Sequence, residues 1–351
     1  MRQNVATLCR PQNFSLETLS LTPTMQLVLD WRTALFSISS AAIASLYLFY
    51  KFRVNYELER RNNQRLSGHT DDDLFYAAFR GDLELLKRIL ENSIIDVNAA
   101  NADGCTSLFM AVESEQLVAM RYLVSQGAQL NIRNNEGKTA LIHAVENNSI
   151  ECARILLDCG ADVNAACGVD NTTPLMYSVT RDNLRMAKLL LERGAKQSIP
   201  DANGNTALTI AIRRNLQEAS KLLMLYSTYH DVNARTNNRT TPLMLAAHNG
   251  DIFTARMLVK QGANLNARRT DGNSPLMIAC EAGALEVVAF LVEMGADVNT
   301  QNNDGKTCLN IAAANDAHPE LCVFLQRHHA LEELPLKSKL ADYFKCTYNQ
   351  C

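Results

Sequence analysis

The sequence predicts an all-α protein: a solenoid of stacked helix-turn-helix units with β-hairpin fingers, preceded by one transmembrane helix. Three observations predict it. A Thr/Ser-x-Leu triplet recurs in register in seven copies, at steps of 33, 34, 33, 35, 33 and 33 residues. A Gly-Ala-x-apolar-Asn string follows several of these triplets, and residues 33–50 are 18 uncharged, mainly apolar residues between Arg32 and Lys51. A period of this length marks a repeat architecture, in which a single unit cannot bury its own apolar face and neighbours must stack to do so.

Composition narrows the functional classes. The chain of 351 residues is 47% hydrophobic and 20% charged, a globular balance, so its length reflects added units and not added domains. A formal net charge of −3 supplies no basic excess for nucleic acid. Ten cysteines without a clustered framework read as free thiols that act as small hydrophobes in a reducing compartment.

In chain order, residues 1–32 form an N-terminal segment and residues 33–50 the predicted span. A helix of 18 residues reaches roughly 27 Å, just enough for a bilayer core. Trp31 lies at one end and Tyr47 and Tyr50 at the other, as in an aromatic belt. Lys51, Arg53, Arg60, Arg61 and Arg65 follow the span, whereas Arg32 alone precedes it closely, so the positive-inside rule puts the rest of the chain in the cytosol. Two readings compete with the anchor. One is a helix packed elsewhere, since serine and alanine dilute the run. The other is an organelle presequence, since residues 1–16 carry Arg2 and Arg10 and no acid before Glu17. Residues 51–70 read as a polar linker.

Residues 71–330 hold eight units. The first is degenerate: Leu74, Ala77, Ala78, Leu85, Leu86, Ile89 and Leu90 keep the helical spacing, and Asp71, Asp72 and Asp73 stand where a cap belongs. The other seven begin at Thr106, Thr139, Thr173, Thr206, Thr241, Ser274 and Thr307. A hydroxyl at that place caps a first helix, and Pro174, Pro242 and Pro275 suit its first position. Gly127-Ala128, Gly160-Ala161, Gly262-Ala263 and Gly295-Ala296 end second helices, and Asp103-Gly104, Glu136-Gly137 and Asp304-Gly305 suit tight hairpin turns. The fourth unit has Gln197-Ser198-Ile199-Pro200 where Val-Asn belongs, and the fifth lacks Gly-Ala and carries two extra residues within 226–230. The stack is expected to be least regular between those two units. Residues 331–351 form a C-terminal cap or tail.

These strings closely resemble the ankyrin repeat, over about residues 71–330. The resemblance implies a partner-binding, non-enzymatic protein whose concave groove is built from finger tips and first helices. Carried onto this sequence, the groove floor is Tyr76, Met110, His143, Tyr177, Ile210, Leu245 and Ile278. A flanking row gives Glu113 and Glu146, then Arg181, Arg213 and Arg214, then His248 and Glu281. The groove thus has an acidic early zone and a basic middle. The histidine usual in the family after Thr-Pro-Leu is replaced by Phe109, Ile142, Met176, Thr209, Met244, Met277 and Asn310, so its hydrogen-bond network is expected to be absent and replaced mostly by apolar packing.

No metal-ligand spacing or phosphate loop occurs: Gly137-Lys138-Thr139 and Gly305-Lys306-Thr307 lack the upstream glycine and are repeat turns. No catalytic residue, metal, cofactor, nucleic acid or small-molecule substrate is expected. The function expected is a membrane-tethered adaptor that holds a cytosolic protein. The alternatives are an effector secreted into a host cell and a regulatory subunit of an enzyme complex.

Overall fold

The computed structural model describes residues 70–92, 95–314 and 319–328. The chain divides into two units, residues 1–62 and 63–351, and every described residue belongs to the second. The predicted span at 33–50, the N-terminal segment and the tail at 331–351 lie outside the described residues. Among the described residues, no helix is long and apolar enough to cross a membrane.

Eight helix pairs follow one another, as the period predicts. First helices are Asp71–Arg80 (α1), Ser107–Glu113 (α3), Ala140–Glu146 (α5), Pro174–Thr180 (α7), Ala207–Arg213 (α9), Pro242–Asn249 (α12), Pro275–Glu281 (α14) and Cys308–Ala314 (α16). Their second helices are Leu83–Asn92 (α2), Leu117–Ser125 (α4), Ile150–Asp158 (α6), Leu184–Glu192 (α8), Gln217–Leu225 (α10), Ile252–Lys260 (α13), Leu285–Glu293 (α15) and Pro319–Arg327 (α17). Each first helix packs on the first helix of the next unit, and each second helix on the next second helix. The leucine of every triplet, from Leu108 to Leu309, is at most 1% exposed between them. Burying one such side chain contributes roughly 1.5–3 kcal/mol.

Local chemistry sets the helix ends. Thr139, Thr173, Thr206, Thr241 and Ser274 each accept a bond from the backbone N–H three residues on. Thr106 does not; there Ser107 Oγ donates to Val97 O at 3.1 Å. In the first unit the cap is not missing, contrary to the sequence reading. Thr70 and Asp73 form a reciprocal capping box, and α1 runs for 10 residues where most first helices have 7. Second helices end where Gly127, Gly160, Gly194, Gly262 and Gly295 turn left-handed, with φ between 85° and 94°.

Two expectations need correction. The fingers are not β-hairpins with ladders, since no strand forms among the described residues and only isolated bridges occur, at Ala100–Thr106 and Cys167–Thr172. Each finger closes on one narrow bond pair, such as Asn101 N–H to Cys105 O and Gly104 N–H to Asn101 O, both 2.9 Å. Its other backbone groups bond to the next finger instead: Asn135 N–H donates to Asp103 O at 3.0 Å, and Asn303 N–H to Asp271 O at 3.0 Å. The family histidine's role is also not wholly given over to apolar packing. Thr209 Oγ1 accepts from Thr206 N–H at 2.7 Å, and Asn310 Oδ1 accepts from Thr307 N–H at 2.9 Å.

Successive units are further tied by asparagine rungs. Asn98, Asn131, Asn164, Asn233 and Asn266 each accept through Oδ1 from a backbone N–H of the next unit, at 2.7–3.1 Å. Ser198 occupies that place in the fourth unit, and the tie is made differently. Buried Gln197 donates from Nε2 to Leu223 O at 3.0 Å. The extra residues of the fifth unit form a four-residue helix, Tyr229–Val232 (α11), capped by Thr228 and Asp231. The predicted irregularity is therefore present, as a short ordered helix instead of a lengthened loop.

Candidate functional site

The candidate surface is the face made by first helices and fingers. Its predicted floor residues share one helical position. Met110, Leu245 and Ile278 are buried, whereas Tyr76, His143, Tyr177 and Ile210 remain half-buried with a side available to a partner. His143 bonds Asn147 Nδ2 at 3.3 Å, packs against Phe109 at 5.9 Å between centroids, and is pushed below its ordinary pKa by burial. Cys167 Sγ–H donates to Tyr177 Oη at 3.2 Å, and burial together with that contact raises the tyrosine's pKa.

Charges in the flanking row fall into two kinds. Glu146 is half-buried and closed, because Lys138 Nζ sits 2.9 Å from it and 2.7 Å from Glu136. That pairing holds the Glu136 carboxyl below its ordinary range. Arg181 and Arg213 are exposed at the ends of α7 and α9, and their side chains have no ion pair or hydrogen bond among the described residues. Arg214 is exposed as well, but its Nη1 donates to Thr180 O at 2.7 Å and so ties two first helices together. His248 and Glu281 are exposed further along the row.

Sequence reasoning missed the finger cations. Lys138 lies one residue before the cap Thr139 and eight before Glu146, a spacing that a finger-to-helix comparison exposes. Arg235 and Arg239 lie in the finger before α12, exposed and without side-chain partners among the described residues. Arg239 is left-handed, with φ 59°, where five other fingers have glycine at φ 71–83°. The adjoining finger is partly closed: Arg268 donates to Gln301 O, and Arg269 pairs with Asp271. Beyond it, an open cavity of about 680 Å³ lies between α14, α16 and the last finger, lined by Glu281, Lys306 and Ile311 among others.

Of the seven described cysteines, all free, Cys152 is buried and its thiol is pushed up to about 12 by burial. A protonated, buried thiol is a packing group.

The chain matches the sequence family described as ankyrin repeats (3 copies), over residues 74–167, 165–236, 221–302 and 243–334. Among curated proteins it is similar to human transient receptor potential cation channel subfamily A member 1, 29% identical over 213 residues, covering 58% of this chain and 19% of that protein. It is similar to palmitoyltransferase AKR1 of Lachancea kluyveri, 28% identical over 192 residues, covering 52% and 21% respectively. A third relative is ankyrin repeat and SAM domain-containing protein 6 of Rattus norvegicus, 26% identical over 167 residues, covering 48% and 15%. The chain thus spans about a fifth or less of the length of these relatives.

Proposed function

We propose, from the premise that this chain belongs to the ankyrin-repeat family, that it is a non-enzymatic adaptor whose groove binds an acidic segment of a protein partner. The observation that carries this reading is the unpaired arginine set of the middle units. Arg181 and Arg213, with Arg235 and Arg239 on the finger side, are exposed guanidinium groups without an ion pair among the described residues. Arginine presents a planar fork suited to carboxylates, and half-buried Tyr177 and Ile210 lie in the same two units. Anchoring to a membrane through residues 33–50 belongs to the same proposal and rests on their sequence alone. Carbonate washing of membranes tests it: equal solubility of the full chain and a chain lacking residues 1–52 would remove the anchor.

The groove is tested by replacing Arg181, Arg213 and Arg214 together with glutamate. Partner proteins captured by the full chain should be lost or bound far more weakly, while thermal stability falls by no more than the loss of the Arg214–Thr180 bond accounts for. An unaltered partner set would move the site to the finger tips. The palmitoyltransferase relative favours a second reading, a repeat region that regulates an acyl-transferring enzyme. Co-purification of such an activity with the full chain would favour it.

A further inference from the structure

The third unit carries a closed charge arrangement, and the second carries the same arrangement with one member missing. In the third unit Lys138 reaches Glu146 at 2.9 Å. Stepping back 33 residues gives Glu113 at the end of α3 and Cys105, not lysine, in the preceding finger. The two places are equivalent by the repeat step, and burial raises the Cys105 thiol's pKa, with the Glu113 charge adding to it. Cysteine offers no positive charge, and its sulfur already accepts from Asn134 Nδ2 at 3.8 Å. Glu113 is half-buried, and its side chain has no ion pair or hydrogen bond among the described residues. Burial, with no opposing cation, raises its pKa above the ordinary carboxylate value.

We infer that Glu113 is the receptor for a lysine or arginine side chain of the groove's partner, which takes the place held by the Lys138 ammonium one repeat later. A partly desolvated carboxylate gains most from a cation that arrives with its own hydrogen-bond donors. This inference rests on the groove reading and adds a second specificity element: a basic residue toward the second unit, in a partner whose acidic residues meet the fourth to sixth.

The test uses the full chain and needs no natural partner. Nuclear magnetic resonance follows the Glu113 side-chain carboxyl while N-acetyl-arginine amide, or its neutral isostere N-acetyl-citrulline amide, is titrated in. The arginine compound should lower the Glu113 pKa and saturate; the citrulline compound should do neither. Cys105→Lys should lower that pKa without ligand and weaken binding of the arginine compound by about tenfold or more. In Glu113→Gln, where that carboxyl is gone, binding is read from the backbone amide shifts of residues 105–113, and the arginine compound should give no saturable response with the fold intact. An equal response to citrulline, or arginine binding unaffected by Cys105→Lys and Glu113→Gln, would overturn the inference. Because this readout is independent of Arg181, Arg213 and Arg214, its failure is distinguishable from failure of the groove reading.

Discussion

The second and third units and the fourth to sixth share one template but treat their polar groups differently. In the earlier pair, Lys138 neutralises Glu146, the fingers turn on Gly104 and Gly137, and Asn131 and Asn164 supply the rungs to the following unit. In the later three, Arg181 and Arg213 have no ion pair among the described residues, Arg239 replaces a finger glycine, and Gln197 replaces a rung. A charge whose partner lies within the chain stabilises the stack. A charge exposed on the groove face without one is open to another molecule.

The largest expected contrast follows from that distinction. Lys138→Ala leaves the half-buried Glu146 carboxylate uncompensated and should cost about 1–3 kcal/mol in urea unfolding. Arg213→Ala removes an exposed side chain without contacts and should stay within about 0.5 kcal/mol. Equal costs would dissolve the contrast.

The rungs sharpen it. Gln197 is buried and Asn131 exposed, so water can replace the bond that Asn131 accepts but not the one that Gln197 donates. Gln197→Ala should cost about 1 kcal/mol, and Asn131→Ala less. Hydrogen exchange should localise the first loss to residues 197–232.

A smaller effect of opposite sign is expected at Arg239. Glycine relieves the left-handed backbone but adds freedom to the unfolded chain, so Arg239→Gly should gain about 0.5 kcal/mol while weakening partner binding. A loss of stability would mean that the guanidinium has a structural role.

The smallest effect is pH-dependent. The folded-state pKa of Glu113 lies above its unfolded value, so the native state binds the proton more tightly between the two. Stability therefore falls as pH rises through that window. Glu113→Gln should match wild type below about pH 4 and be the more stable protein near pH 7.

Much of the fold was legible because a repeat states its pattern many times over. The caps at Thr139, Thr173, Thr206, Thr241 and Ser274, the glycines ending the second helices and the irregular fourth-to-fifth boundary were all readable. The capping box at Thr70 was not, since the degenerate first unit begins outside the common register and the acidic run drew attention from the residue before it. The absence of strands among the described residues was not legible either, because Asp-Gly turns look alike whether the arms pair with each other or with the next finger. Groove rows are readable as positions more readily than as pairings: Glu146 and Glu113 look alike in their row, and only comparing Lys138 with Cys105 one repeat earlier separates them. That difference depends on which finger residue reaches across.

The most direct measurement of the central claim is a fluorescence titration of the full chain with a labelled twelve-residue peptide of alternating glutamate and leucine. The account predicts saturable binding that weakens steeply with added salt, is lost when Arg181, Arg213 and Arg214 become glutamate, and survives Glu113→Gln. Binding of equal strength to wild type and to the triple arginine variant would contradict it.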